Sequence, residues 1–162
     1  MISTTVSLTA LVLLTLADQL IKLFIERNLQ PVGSAEFING FIGWRYVRNT
    51  GAAFGSFSDS TTLLSVFTGI IIVAGIVLII SRKIKSKYYL TCATMIIAGG
   101  LGNLLDRVFR GYVVDFIEVQ FTDFAVFNFA DILVTVGAFM LIGYLIFETV
   151  RDFSKKKGEN NG

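Results

Sequence analysis

The chain has 162 residues, of which 54% are hydrophobic and 16% charged, with a mean hydropathy of +0.71. Soluble domains hold about 45–50% apolar and about 25% charged residues, so the balance predicts a single unit with lipid as its solvent. The net charge of +2 sits in short basic clusters beside apolar runs, which points away from nucleic acid. With no histidine and one cysteine, Cys92, the chain excludes an internal disulfide framework, His/Cys zinc sites and Ser-His or Cys-His nucleophile pairs.

A helix crosses the hydrocarbon core with about 20 residues. Residues 1–17 are uncharged and the apolar stretch continues to about Phe24, which predicts a first helix over about 5–25. The opening Met1-Ile2-Ser3-Thr4-Thr5 lacks a basic n-region, so this helix is expected to be retained rather than cleaved. The stretch 26–59 follows as an outer loop. Within it, Glu36 to Val47 is rich in β-branched and aromatic residues, and Asn39-Gly40 is a hairpin signal between Phe37-Ile38 and Phe41-Ile42. Trp44 and Tyr46 suit a membrane–water interface, so a small sheet is expected on the outer surface. The small, apolar Gly51-Ala52-Ala53-Phe54-Gly55 reads either as a turn into the next helix or as a flap over a site.

A second helix is predicted over about 60–81, then the basic loop 82–87, then a third helix over 88–106. The outer loop 107–128 leads to a fourth helix over 129–150 and a basic tail, 151–162. The fold class predicted is thus an all-α integral membrane protein with four transmembrane helices and a small extracytoplasmic β-sheet. Four spans place both termini and the loop 82–87 on one side. Arg82, Lys83, Lys85, Lys87, Arg151 and Lys155-Lys156-Lys157 make that side the cytoplasm.

Counting along the helices gives depth. Asp106 lies 19 residues beyond Lys87, and Asp131 lies 20 residues before Arg151. At about 1.5 Å per residue both sit roughly 30 Å from the cytoplasmic edge, near the outer boundary. Asp18 is in the outer half of the first helix and Asp115 is in the short outer loop. An ionisable group within a span is a functional candidate by default. Asp18 and Lys22 are spaced i,i+4 and read as an ion pair that holds helices together. Asn103, Asp106 and Arg107 share a helix face, and the adjacent Asp106 and Arg107 read as a pair fixing the helix end. Asn128 and Asp131 are i,i+3 if the fourth helix begins near Asn128.

Asp115 and Asp131 differ, because neither has a basic neighbour in sequence. Asp115 lies in the apolar run Val113-Val114-Asp115-Phe116-Ile117, and Asp131 opens an apolar helix. Two carboxylates brought together in one low-dielectric layer would share a proton. One could then take a proton from water while the other donates to a carbonyl oxygen, hydrolysing an amide without a covalent intermediate. The two titrate as a pair, so acid and base roles are not separable from sequence.

Five segments in order carry a resemblance: Asp18-Gln19-Leu20-Ile21-Lys22, Asn49-Thr50-Gly51-Ala52-Ala53-Phe54-Gly55, Gly102-Asn103-Leu104-Leu105-Asp106-Arg107, Val113-Val114-Asp115-Phe116 and Phe127-Asn128-Phe129-Ala130-Asp131. Over nearly its whole length the chain resembles bacterial lipoprotein signal peptidase, or signal peptidase II. The resemblance implies an aspartic endopeptidase of the bacterial cytoplasmic membrane, with its active site near the extracytoplasmic face. Such an enzyme removes the signal peptide of a prolipoprotein just before a diacylglyceryl-modified cysteine. The implied catalytic pair is Asp115 and Asp131. Asn49, Gly51, Asn103, Arg107, Asn128 and Ala130 would hold substrate backbone or orient the dyad, and Asp18, Lys22 and Asp106 would support the fold. No metal or organic cofactor is implied. The partners implied are the diacylglyceryl prolipoprotein and membrane lipid, with no obligate protein partner.

Three rival readings are weaker. A proton- or cation-coupled transporter would place its carboxylates at the midplane and would show an inverted repeat. A scaffold protein would explain the ion pairs but not Asp115 and Asp131. A serine–lysine protease would need a serine beside Lys22 in the outer half of the first helix.

Overall fold

The structure is a computed structural model and describes residues 4–51 and 61–159. Its elements run α1 (Thr4–Asn28), β1 (Ser34–Ile38), β2 (Ile42–Asn49), α2 (Thr61–Ile80), α3 (Lys87–Arg110), β3 (Val113–Val119) and α4 (Phe129–Glu159). All four helices are long and apolar enough to cross a membrane. The segment Ala52–Gly55, a turn or a flap by its sequence, lies outside the described residues.

Helix α3 is the hub, packing against α1, α2 and α4. Small residues let it come close. A methyl group added at Gly99 would lie 2.3 Å from the Ala130 carbonyl oxygen, and one at Gly102 would lie 2.4 Å from Asp18 Oδ2. Small residues at such crossings suit a lipid solvent, where helix association relies on close packing rather than on hydrophobic burial. Leu11, Ile72, Ile79, Ile97, Ala98 and Leu133 form the bundle core. Leu13, Leu20, Ile70 and Phe139 stand on the outside, each at least 60% exposed, as lipid-facing side chains do.

The sheet is antiparallel in the order β1-β2-β3. Its tight turn comes at Asn39-Gly40, with Gly40 at φ +72 in the left-handed region glycine tolerates. Strand β3 departs from the sequence reading, in which 107–128 is a loop without strands. Its Val113-Val114-Asp115-Phe116 is buried throughout, so no alternation of apolar and polar residues advertises it. The sheet rests on the end of α1, where Ile25 and Leu29 pack against Val114 and Phe116, with Trp44 and Tyr46 at the edge.

Two helix ends also differ from expectation. Helix α3 runs past 106 to Arg110 and stops at Gly111, which is left-handed at φ +80 and donates its N–H to the Arg107 carbonyl. Arg107 and Arg110 therefore belong to the last helical turn rather than to a loop. Helix α4 continues past 150 to Glu159, with no Gly or Pro between Arg151 and Lys157 to interrupt it.

Candidate active site

Helix α4 starts in a reciprocal cap. The Asn128 side-chain oxygen accepts the Asp131 backbone N–H at 3.0 Å, and Asp131 Oδ2 accepts the Asn128 backbone N–H at 3.0 Å. This capping box satisfies two orphan donors of the helix. It also fixes Asp131 in the first turn, where the helix dipole favours a negative charge.

Asp115 reaches the same place from the sheet. Val47 on β2 faces Asp115 on β3, and Asn49 faces Val113, so Asn49 and Asp115 are diagonal neighbours on one face. Phe127 exchanges backbone hydrogen bonds with Ile117, at 2.8 and 3.1 Å, tying the chain before α4 to β3. Asn128 therefore stands beside Asp115 and joins it to Asp131.

Three asparagines meet the two carboxyls. Asn49 Nδ2 donates to Asp115 Oδ2 at 2.8 Å and Asn128 Nδ2 to Asp115 Oδ1 at 2.6 Å. Asn103 Nδ2 donates to Asp131 Oδ1 at 2.7 Å. Each amide is locked in that sense because a donor occupies its oxygen: the Gly51 N–H at Asn49, the Asp131 N–H at Asn128 and the Lys22 ammonium at Asn103. None of these donors can accept, so flipping any amide would set donor against donor. Among the described residues, no ion pair joins Asp115 or Asp131 to a cation. Asp115 is 2% exposed, and burial pushes its carboxyl up to about 6. Donation from Asn49 opposes the rise, the Asp131 charge adds to it, and Asn128 and Lys22 oppose it further.

The other two aspartates are neutralised. Lys22, with no exposed side-chain surface, lies 3.0 Å from Asp18 Oδ2 and 2.9 Å from Asp106 Oδ2. Arg110 reaches Asp106 from one turn on and bridges to Glu26 at 3.1 Å, while Gln19 donates to both Asp18 and Asp106. The remaining lone pairs serve the backbone. Asp18 Oδ1 accepts the Ala130 N–H at 3.1 Å, and Asp106 Oδ2 accepts the Val114 N–H at 3.2 Å. Ala130 and Val114 are the residues immediately before Asp131 and Asp115. The ion cluster thus grips the backbone beside each of the two carboxyls.

Asp106 and Arg107 do not form the pair expected from sequence. Asp106 turns to α1, whereas Arg107 Nη2 donates to the Gly51 carbonyl at 3.3 Å and its buried Nε–H has no acceptor. Successive helix positions lie about 100° apart, which separates them. Arg107 lines a cavity of about 700 Å³ with Asn49, Asn103, Asp115 and Asp131 at one end. Apolar residues of α2, α3 and α4, among them Phe67, Ile71, Ile97 and Val136, line the rest.

Gln19 and Arg110 escape the sequence reading as members of the cluster. Arg110 does stand i,i+4 from Asp106, a signal hidden where 107–128 is taken as a loop. Gly99 and Gly102 escape it as approach points, and only the small residues Ala98, Gly99, Gly100 and Gly102 hint at them.

The model of the family described as "Signal peptidase (SPase) II" matches residues 10–147. The chain is 44% identical over 131 residues to the lipoprotein signal peptidase of Caldanaerobacter subterraneus subsp. tengcongensis, covering 80% of this chain and 87% of that one. It is 40% identical over 147 residues to the lipoprotein signal peptidase of Clostridium acetobutylicum, covering 89% and 93%. Two solved structures of a bacterial membrane enzyme superpose with TM-scores of 0.81 and 0.77, each at 33% identity. The first covers 90% of both chains, the second 87% of this chain and 92% of the other.

Proposed function

The chain belongs to the signal peptidase II family, and from that premise we propose that Asp115 and Asp131 are the dyad with which it cuts prolipoproteins. It is a multi-pass bacterial membrane protease that removes lipoprotein signal peptides, and residues 1–162 act as one membrane-embedded peptidase domain. The observation that carries the assignment is the shared asparagine: Asn128 bonds both carboxyls, and both face the end of the apolar cavity.

The substrate is a prolipoprotein whose cysteine carries a diacylglyceryl group, and the cut falls just before that cysteine. Phe67, Ile71, Ile97 and Val136 supply apolar walls for the signal peptide and the lipid, in a cavity of about the size that encloses a small ligand. Surrounding membrane lipid is the other partner. The site lies near the extracytoplasmic face with both termini in the cytoplasm, an orientation supported by the basic residues of 82–87 and 151–157.

Burial raises the Asp115 carboxyl to about 6, which makes it available to carry a proton in the exchange. The ionised carboxylate takes a proton from a water, whose oxygen bonds to the scissile carbonyl carbon. The protonated carboxyl donates to the carbonyl oxygen. On collapse the C–N bond breaks and a proton passes to the departing cysteine nitrogen. Asn49, Asn103 and Asn128 keep the carboxyls in place through this exchange, because their own oxygens are held. Arg107 offers its unfilled Nε–H to a substrate backbone carbonyl, and Gly51 and Ala130 supply backbone rather than side-chain contacts.

Asp115→Asn and Asp131→Asn are each expected to lower cleavage of a diacylglyceryl prolipoprotein by about 10³-fold or more while the protein stays folded. Unlipidated precursor is expected to be a poor substrate. Near-normal turnover in either variant would remove the dyad assignment.

A further inference from the structure

Among the described residues, Lys22 is the one fully buried cation whose bonds reach the dyad. An ammonium has three N–H donors, and Lys22 has three acceptors: Asp18 at 3.0 Å, Asp106 at 2.9 Å and Asn103 Oδ1 at 2.8 Å. Two of these bonds neutralise carboxylates. The third goes to a neutral amide whose other end donates to Asp131 at 2.7 Å. Purely structural pairing of Asp18 with Asp106 does not require that third bond.

The geometry points to Lys22 as a positioning residue for the cleavage step, acting on Asp131 by holding Asn103 in the orientation that donates to it. The inference rests on the dyad assignment above.

The competing anchor for Asn103 is weaker. Asn128 Nδ2 also donates to Asn103 Oδ1, but at 3.1 Å and with the hydrogen left over from its 2.6 Å bond to Asp115. The Lys22 bond is shorter and charge-assisted, and such bonds are about twice as strong as neutral ones. Without it Asn103 is free to turn its oxygen toward Asp131, and the donated bond that holds that carboxyl is lost. The apolar walls of the cavity lie on other residues, so substrate binding is not expected to change.

The test is a double-mutant cycle on kcat and KM with diacylglyceryl precursor, normalised to monodisperse protein. It uses Lys22→Met, Asn103→Ala and the two combined. Removing Lys22 alone leaves the buried Asp18 without a cation while Asp106 keeps Arg110, so Asp18→Asn/Lys22→Met, which removes one charge of each sign, is run in parallel with and without Asn103→Ala. Losing a hydrogen bond to a charged group predicts a drop in kcat on the order of 10–100-fold for the Lys22 variants, with KM within about 2-fold of wild type. In the Asn103→Ala background the same change is expected to cost only about 2- to 3-fold, because the amide it orients is gone. Equal losses in both backgrounds, or normal kcat per folded molecule, would overturn the proposal. Asp131→Asn is measured beside them: if it keeps its activity, the dyad assignment falls; if it is inactive and the losses are equal, only the role of Lys22 falls.

Discussion

Four aspartates lie within one layer of this protein, and they form two groups held by different chemistry. Asp18 and Asp106 are met by Lys22, Arg110 and the Gln19 amide, and their remaining lone pairs hold backbone N–H groups. Asp115 and Asp131 are met by asparagine amides and one backbone N–H. A cation within bonding distance would pin a carboxylate in its ionised form and hold it out of proton exchange. Neutral donors fix a carboxyl in space while leaving its proton free to move. The first group is held by ion pairs, the second by neutral donors, and the first grips the backbone one residue before each member of the second.

That contrast can be broken from either side. The largest stability effect is expected at Asp106. Asp106→Ala leaves Lys22 and Arg110 short of a partner, and breaking a buried pair costs about 3–5 kcal/mol. A lowered melting temperature in detergent would show it, and an unchanged one would mean the cluster is not structural.

A smaller effect, with a sign that depends on pH, is expected at Asp115. Its folded value, about 6, is raised above the ordinary 3.8. The contribution of Asp115 to stability is therefore fully present below about pH 4 and is lost as pH rises through about 6, when a buried carboxyl must ionise. Asn does not titrate. Relative to wild type, Asp115→Asn is expected to gain up to about 3 kcal/mol between pH 4 and pH 7, since a tenfold change in proton affinity is worth about 1.36 kcal/mol. Parallel melting curves across that range test this, and a constant difference would argue against the raised value.

The smallest effect is expected at Gly102→Ala, whose methyl group would press on Asp18. Overpacking of this kind costs about 1–3 kcal/mol. Melting temperature again reads it, and turnover per folded molecule is expected to fall less than in any Asp115 variant.

Much of this division is legible in the sequence. Uncharged runs mark the four spans, Asn39-Gly40 marks the hairpin, and the i,i+4 spacing of Asp18 and Lys22 marks their ion pair. The absence of basic neighbours sets Asp115 and Asp131 apart. What stays hidden is three-dimensional in origin. Strand β3 is buried along Val113–Phe116 and so lacks the period of two that marks a half-buried strand. The separation of Asp106 from Arg107 follows from the helix continuing to Arg110, which an expected end at 106 conceals. The orientation of Asn103 depends on Lys22, 81 positions away, and no local pattern reports that.

The central claim is that the two groups differ in kind, one holding the fold and the other cleaving the substrate. The most direct measurement takes turnover of a diacylglyceryl prolipoprotein and melting temperature together, on wild type, Asp131→Asn and Asp106→Asn. The account predicts a folded, inactive Asp131→Asn and a less stable Asp106→Asn that still cleaves. An Asp131→Asn enzyme that turns over at the wild-type rate would contradict it.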